Sequence, residues 1–283
     1  MTQPEPRKKR LFMKISISLL NLALAATFSA TLVAQTSQTG YHTVACFKVK
    51  SDKGADFRKF MGDELHKLAQ GRVDDGEITT WYLLRAVLPQ GRDVECDYIS
   101  IAFFPGTPHV LGTQELLAAI KKSGMSITPE DYLSHRDAVS TLVSVSLFQN
   151  DISAGSPMKG DYFHVSYLKT TDREEFVDWD KRVWLPVHET LIKDGIETGW
   201  SINTQILPGG ADQRFQAVAI AVFPSMDAFV LRDSKIVDEF RKAHPDMEVG
   251  TTQEQFGKFM AQFANMRTVQ NVQLYQLEDS IRR

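Results

Sequence analysis

The chain has 283 residues, 43% of them hydrophobic, which is enough for one large domain or two of ordinary size with a sizeable core. Its formal charge is −3, and the first 34 residues hold five basic side chains and one acid. The remainder therefore sets 27 basic against 34 acidic residues, about −7, which argues against nucleic acid or an anionic membrane surface as partner.

The first element in chain order is a targeting segment. "RKKRLFMK" is a charged n-region, and "ISISLLNLALAATFSATLVA" is apolar, rich in small residues and about the length of a secretory signal with its cleavage zone. Met13 is an alternative start, and cleavage is expected after Ala34, although Leu32 is large for its position. The other reading is an N-terminal anchor, weakened by Asn21 and by many Ala, Ser and Thr residues. The protein is thus expected to be exported, to the periplasm or beyond, touching a membrane only through an uncleaved signal. Two cysteines, Cys46 and Cys96, then permit one disulfide or stand as separate half-buried thiols. Neither has CxxC or metal-like spacing, so no metal or thiol-redox site is expected.

The rest of the chain nearly repeats itself. "DDGEITTW" (74–81) returns as "KDGIETGW" (193–200), and an offset of 119 places Gly76 on Gly195 and Trp81 on Trp200. The same offset places Leu88-Pro89 on Leu207-Pro208, Phe104-Pro105 on Phe223-Pro224, Phe57 on Phe176 and Lys50 on Lys169. Near each end, "LFQ" (147–149) matches "LYQ" (274–276) at a larger offset, as a grown loop would give. A period this long means duplication of a domain. The organisation expected is a signal at 1–34, one unit at 41–150, a Gly/Ser/Pro linker at 151–160, a second unit at 161–278 and a tail at 279–283.

The second unit reads element by element. "YFHVSYLK" alternates and is rich in aromatic and β-branched residues, as a strand is. The next stretch opens on a Thr/Asp cap and carries Phe176, Trp179, Val183, Val187 and Leu191 at helical spacing, with Gly195 as the stop. Pro186 should kink or divide this helix. "GWSINTQIL" and "FQAVAIAVF" are strands of a hairpin, two more helices follow, and "TVQNVQLYQLE" closes the unit. The order β-α-β-β-α-β with one extra helix, occurring twice, predicts an α+β fold. Its parts would be two tandem ferredoxin-like units whose antiparallel sheets face each other.

On this order, and on the repeated Gly…Trp and Phe-Pro positions, the chain resembles the dimeric α/β barrel superfamily in fused form. That superfamily includes cofactor-free antibiotic-biosynthesis monooxygenases, haem-degrading monooxygenases, chlorite dismutases and dye-decolourising peroxidases. A fold of this kind does not fix a function.

Alternation separates the two faces of each sheet. In the second unit Phe163, Val165, Tyr167, Trp200, Ile202, Val218, Ile220, Val222, Val272 and Leu274 are expected beneath the helices. His164, Ser166, Ser201, Asn203, Gln205, Asn271, Gln273 and Tyr275, with Ala217, Ala219 and Ala221, would face inward. In the first unit Ala45, Phe47, Tyr82, Leu84, Tyr98, Ser100, Ala102, Ser144, Ser146 and Phe148 would do so. One half would supply an aromatic floor and the other a hydrogen-bonding wall, the composition of a ligand pocket. The candidate site is His164, Asn203, Asn271, Gln273 and Tyr275, with Tyr82 and Tyr98 opposite. Mutual satisfaction of these polar groups across the barrel is the other reading.

His66 and His188, late in each first helix, are read as helix-end residues favoured by the dipole. His244 is read as a surface feature, and His42, His109 and His135 have no supporting neighbours. The GxxDG motif of dye-decolourising peroxidases is absent, since "KDGIETG" lacks its leading glycine, and no haem or other cofactor is expected. The leading function is small-molecule binding between the sheets, in a protein that forms a homodimer if it associates. The alternatives are a cofactor-independent monooxygenase with His164 as base and Asn203 and Asn271 holding a substrate oxygen, or an interaction protein with a packed barrel and aromatic patches at Trp179 and Trp184.

Overall fold

The computed structural model describes residues 40–89, 94–108, 112–210, 213–261 and 263–283; the predicted signal and His109 lie outside them. The first half comprises β1 (Gly40–Val49), α1 (Gly54–Phe60), α2 (His66–Asp74), β2 (Thr80–Leu88), β3 (Tyr98–Phe104), α3 (Thr113–Lys122), α4 (Pro129–Val139) and β4 (Ser140–Gly155). The second comprises β5 (Tyr162–Thr170), α5 (Arg173–Trp179), α6 (Leu185–Lys193), β6 (Gly199–Leu207), β7 (Ala217–Phe223), α7 (Met226–Ala243), α8 (Gln253–Ala261) and β8 (Arg267–Arg282). The eight strands close an antiparallel barrel in the order β1-β3-β2-β8-β5-β7-β6-β4. Each half contributes four adjacent strands in the same order, and the seams are β2–β8 and β4–β6. Closure removes sheet edges along most of the barrel.

The 119-residue offset has a structural meaning. Gly76 and Gly195 end the first helical run of each half with φ of +74° and +72°, a conformation that favours glycine. Both runs widen into one π-helical turn at matching places, Met61–Leu65 and Asp180–Trp184. Pro186, expected to kink its helix, stands in the first turn of α6 immediately after that π turn, where its missing N–H is tolerated. The Asp172 side chain caps α5 by accepting from the Glu175 N–H at 3.0 Å. The stretch read as a linker begins as strand, since β4 runs on to Gly155, and β8 runs through most of the expected tail to Arg282.

Three apolar clusters follow. One lies between the first-half helices and their strands, built on Phe57, Leu68, Trp81 and Ile120. Its counterpart holds Phe176, Trp184, Trp200 and Phe240. Trp179 and Trp184, candidates for an exposed aromatic patch, are core members at 6% and 7% exposure. The third fills the barrel itself with Tyr82, Leu84, Ile101, Phe148, Phe163, Val222 and Tyr275.

This third core corrects half of the expected face assignment. The β2, β4, β6 and β8 positions expected to face inward do so, but β1, β3, β5 and β7 are reversed. Phe163, Val165, Val218 and Val222 point into the barrel with Tyr167 and Ile220 packed beside them, while Ala217, Ala219 and Ala221 lie under the helices. In the first half Ala45, Phe47, Tyr98 and Ala102 likewise belong to the helix-side core. The reason is pairing: Ala221 lies opposite Trp200, and directly opposed residues share a face, so the alanines go with the tryptophan. Sorting the larger apolar row towards the helices overlooked that a closed barrel has an apolar core of its own.

Candidate functional site

The barrel is packed at one end and open at the other. A cavity of about 970 Å³ opens at the end where the β2–β3 and β6–β7 hairpins approach each other. Its aromatic side is Phe148, Phe215 and Tyr167: Phe148 and Phe215 lie nearly parallel at 6.4 Å, and Tyr167 meets Phe215 edge-on at 4.7 Å. Its polar side is Ser144, Ser146, Gln205, Asn271 and Gln273. Alternation on β4, β6 and β8 aims these short polar side chains inward.

One wall is a disulfide. Cys46 and Cys96 are bonded, with Cα atoms 5.2 Å apart. The antiparallel register sets Cys46 opposite Ile99, and Cys96 reaches it from the segment just before β3. Over the mouth, the Arg214 guanidinium donates to Glu95 at 2.5 Å, a pair whose members are themselves separated by 119 residues. The pair therefore joins equivalent positions of the two hairpins. Opposite charges at equivalent positions were the sequence signal for it.

Deeper in, a short hydrogen-bond chain stiffens the polar side. The Tyr167 hydroxyl donates to the Gln273 Oε1 at 3.1 Å, and the fully buried Tyr275 hydroxyl donates to the same oxygen. Burial pushes the ionisation of both phenols upward, so both remain donors at ordinary pH.

The sequence-predicted residues divide accordingly. Asn271 and Gln273 line the cavity, and Tyr275 supports it from beneath. Asn203 faces the barrel further in, donating to Ser201 at 2.9 Å beside its strand partner Asn150. Tyr82 is in the packed part, held by Arg282, which donates to its hydroxyl at 2.9 Å. Tyr98 and His164 lie on the other face of the sheet. Tyr98 packs on Phe57 at 4.9 Å, and His164 on Phe229 of α7 at 5.4 Å. Burial, then Arg232, lowers the His164 pKa. The barrel wall thus separates His164 from the amides it was grouped with. Tyr167, Lys169, Phe215 and the Glu95–Arg214 pair were missed: the first two because β5 was turned outward, the rest because loop and rim residues carry no periodicity.

Outside the barrel, the second half buries a charged chain. His188 Nδ1 lies 2.7 Å from Glu197, whose other oxygen is 3.8 Å from Arg232 Nε. His188 stacks on Trp200 at 4.4 Å, and burial lowers its pKa against the opposing pull of Glu197. His66 meets Asp279 at 2.6 Å. Both histidines, expected to answer the helix dipole, instead pair with carboxylates, and neither stands in the last turn of its helix: His66 opens α2 and His188 sits within α6. His135 pairs with Glu64 at 2.9 Å, and His244, expected on the surface, is partly buried and bonds the Val183 carbonyl at 2.7 Å. His42 is buried in the barrel between Phe103 and Phe148, with no hydrogen-bond partner for Nδ1 among the described residues and a pKa lowered by burial to about 3. Among the described residues, no histidine lines the cavity.

No protein-family model matches the chain, and no curated protein matches it. Solved structures do. A provisional monooxygenase of Fusobacterium nucleatum superposes with a TM-score of 0.52 and 11% identity, over 87% of this chain and 95% of that one. A provisional monooxygenase of Lactobacillus acidophilus gives 0.50 and 10%, over 87% of this chain and 100% of that one. At such identity the likeness is one of fold.

Proposed function

We propose that this is an exported binding protein that holds a small, aromatic-containing molecule in the open end of its barrel. The observation that carries the reading is the cavity: a large concave space with an aromatic side, several fixed amides and hydroxyls, and a braced mouth. We infer further that the two half-chains are tandem ferredoxin-like units, a reading supported by the strand order that both halves share. The Cys46–Cys96 bridge supports an oxidising compartment, in line with the signal-like N-terminus.

The test is native mass spectrometry of mature protein purified from its export compartment, followed by titration with flat aromatic probes. A retained mass, or saturable probe binding weakened at least tenfold in Phe215→Ala, is expected. A clean apo mass together with no probe binding would remove the reading.

A second reading, a cofactor-independent monooxygenase, is favoured by the buried His188–Glu197 pair and by what the two structural neighbours are called. In it His188, oriented by Glu197, is the base, and its substrate lies on the helix side of the sheet, away from Asn203 and Asn271. Oxygen uptake with a phenolic or quinol substrate, lost in His188→Gln and retained in His164→Ala, would support it. No uptake with such substrates, or uptake that survives His188→Gln, would count against it.

A further inference from the structure

The identity of the polar groups at the cavity wall says what they are waiting for. Gln273 has one carbonyl oxygen, and two phenol hydroxyls donate to it. Tyr275 is fully buried and cannot turn away. The orientation of the carboxamide is therefore set, and what remains to it are the two N–H groups of Nε2, which have no acceptor among the described residues. Two residues beyond Tyr167, on the same face of β5, Lys169 also lines the cavity. It has no carboxylate partner among the described residues, whereas the other described charges of the lining, Glu95 and Arg214, neutralise each other. Among the described residues the site thus offers oriented donors and one uncompensated positive charge, in a cavity that Phe148 and Phe215 also line.

Resting on the cavity reading above, we propose that the ligand is a flat aromatic molecule carrying an anionic oxygen, such as an aromatic carboxylate, which accepts from Gln273 Nε2 and pairs with Lys169. A cationic aromatic of the same size is disfavoured twice, since it brings donors to donors and a positive charge to a lysine.

The experiment compares 2-naphthoate with 2-naphthylmethylamine, titrated into the mature, disulfide-intact protein by calorimetry. The expected result is naphthoate binding at least tenfold tighter than the amine. Gln273→Glu keeps the acceptor for the two tyrosines but turns the free end of the side chain from donor to acceptor, and it should reverse the order. Lys169→Gln should weaken naphthoate several-fold and remove most of the salt dependence of its binding. Should Gln273→Glu fail to fold, Lys169→Glu at an exposed position carries the same test and should likewise invert the preference. Equal affinity for the two probes, or a preference that survives these variants, overturns the proposal while leaving the cavity a binding site. If neither probe binds, the cavity reading falls and this inference falls with it.

Discussion

The two halves of the chain place different chemistry on the same frame. At the 119-residue offset, the first half buries Met61 and Ile78 where the second buries Asp180 and Glu197. Conversely, the bonded Cys46 and Cys96 of the first half correspond to Val165 and Phe215 of the second. The helix-side core of the second half therefore carries buried carboxylates that need partners, and Glu197 finds His188 and Arg232. Among the described residues Asp180 pairs with Arg267 alone, at 3.4 Å, and burial raises its pKa to about 7. On the barrel side the asymmetry gives the cavity one wall of disulfide and one of aromatic rings. What the comparison teaches is that the shared positions are those of corners and core, while the site and the buried charges lie where the halves differ.

The comparison is sharpest where the halves agree. Phe57 and Phe176 are equivalent and both fully buried, so Phe57→Ala and Phe176→Ala should each cost about 3–5 kcal/mol in denaturant unfolding. A cost confined to one half would show that the two are not energetically equivalent. Next in size is the bridge present only in the first half. It closes a separation of 50 residues, and the Cys46→Ser/Cys96→Ser variant should lose about 2–4 kcal/mol, measured against wild type with and without reductant. Stability indifferent to reductant would deny the bridge.

Smaller still is Glu197→Gln, which removes the charge from the His188 bond and should cost about 1–3 kcal/mol. The corresponding polar change has no counterpart in the first half, where Ile78 needs no partner. The last effect is a slope rather than a single value. The folded pKa of Asp180 lies above the unfolded value of 3.8, so the native state holds a proton that the unfolded chain releases between these values. Its stabilising contribution is complete below about pH 3.8 and is lost as pH rises through about 7. Asp180→Met, which restores the first-half residue, should gain on wild type by about 1.4 kcal/mol per pH unit across that window. Melting temperatures from pH 4 to 8 measure it, and parallel curves for the two proteins would refute the assignment. His42 works in the opposite sense, because its lowered pKa makes stability fall as pH drops below 6.5.

Much of this molecule is legible in its sequence. The near-repeat, the element order, the Gly76 and Gly195 corners and the helix seated on Phe176, Val187 and Leu191 all follow from period, turn chemistry and helical spacing. Those are local properties, carried by neighbours in the chain. Asn271 and Gln273 were also placed at the inner surface, because their strand alternates cleanly between apolar and polar residues.

What only the tertiary structure decided is which face of each strand turned inward, whether Cys96 reached Cys46, and what stood at the mouth. Alternation divides a strand into two rows without saying which row the barrel will enclose. That choice is made by the pairing of Ala221 with Trp200 and of Phe163 with Val222, partners far apart in sequence. Closure then creates a second apolar core, turns His164 towards α7 and brings Glu95 to Arg214 across the open end. The local pattern specified the parts, and the long-range register assembled the site from them.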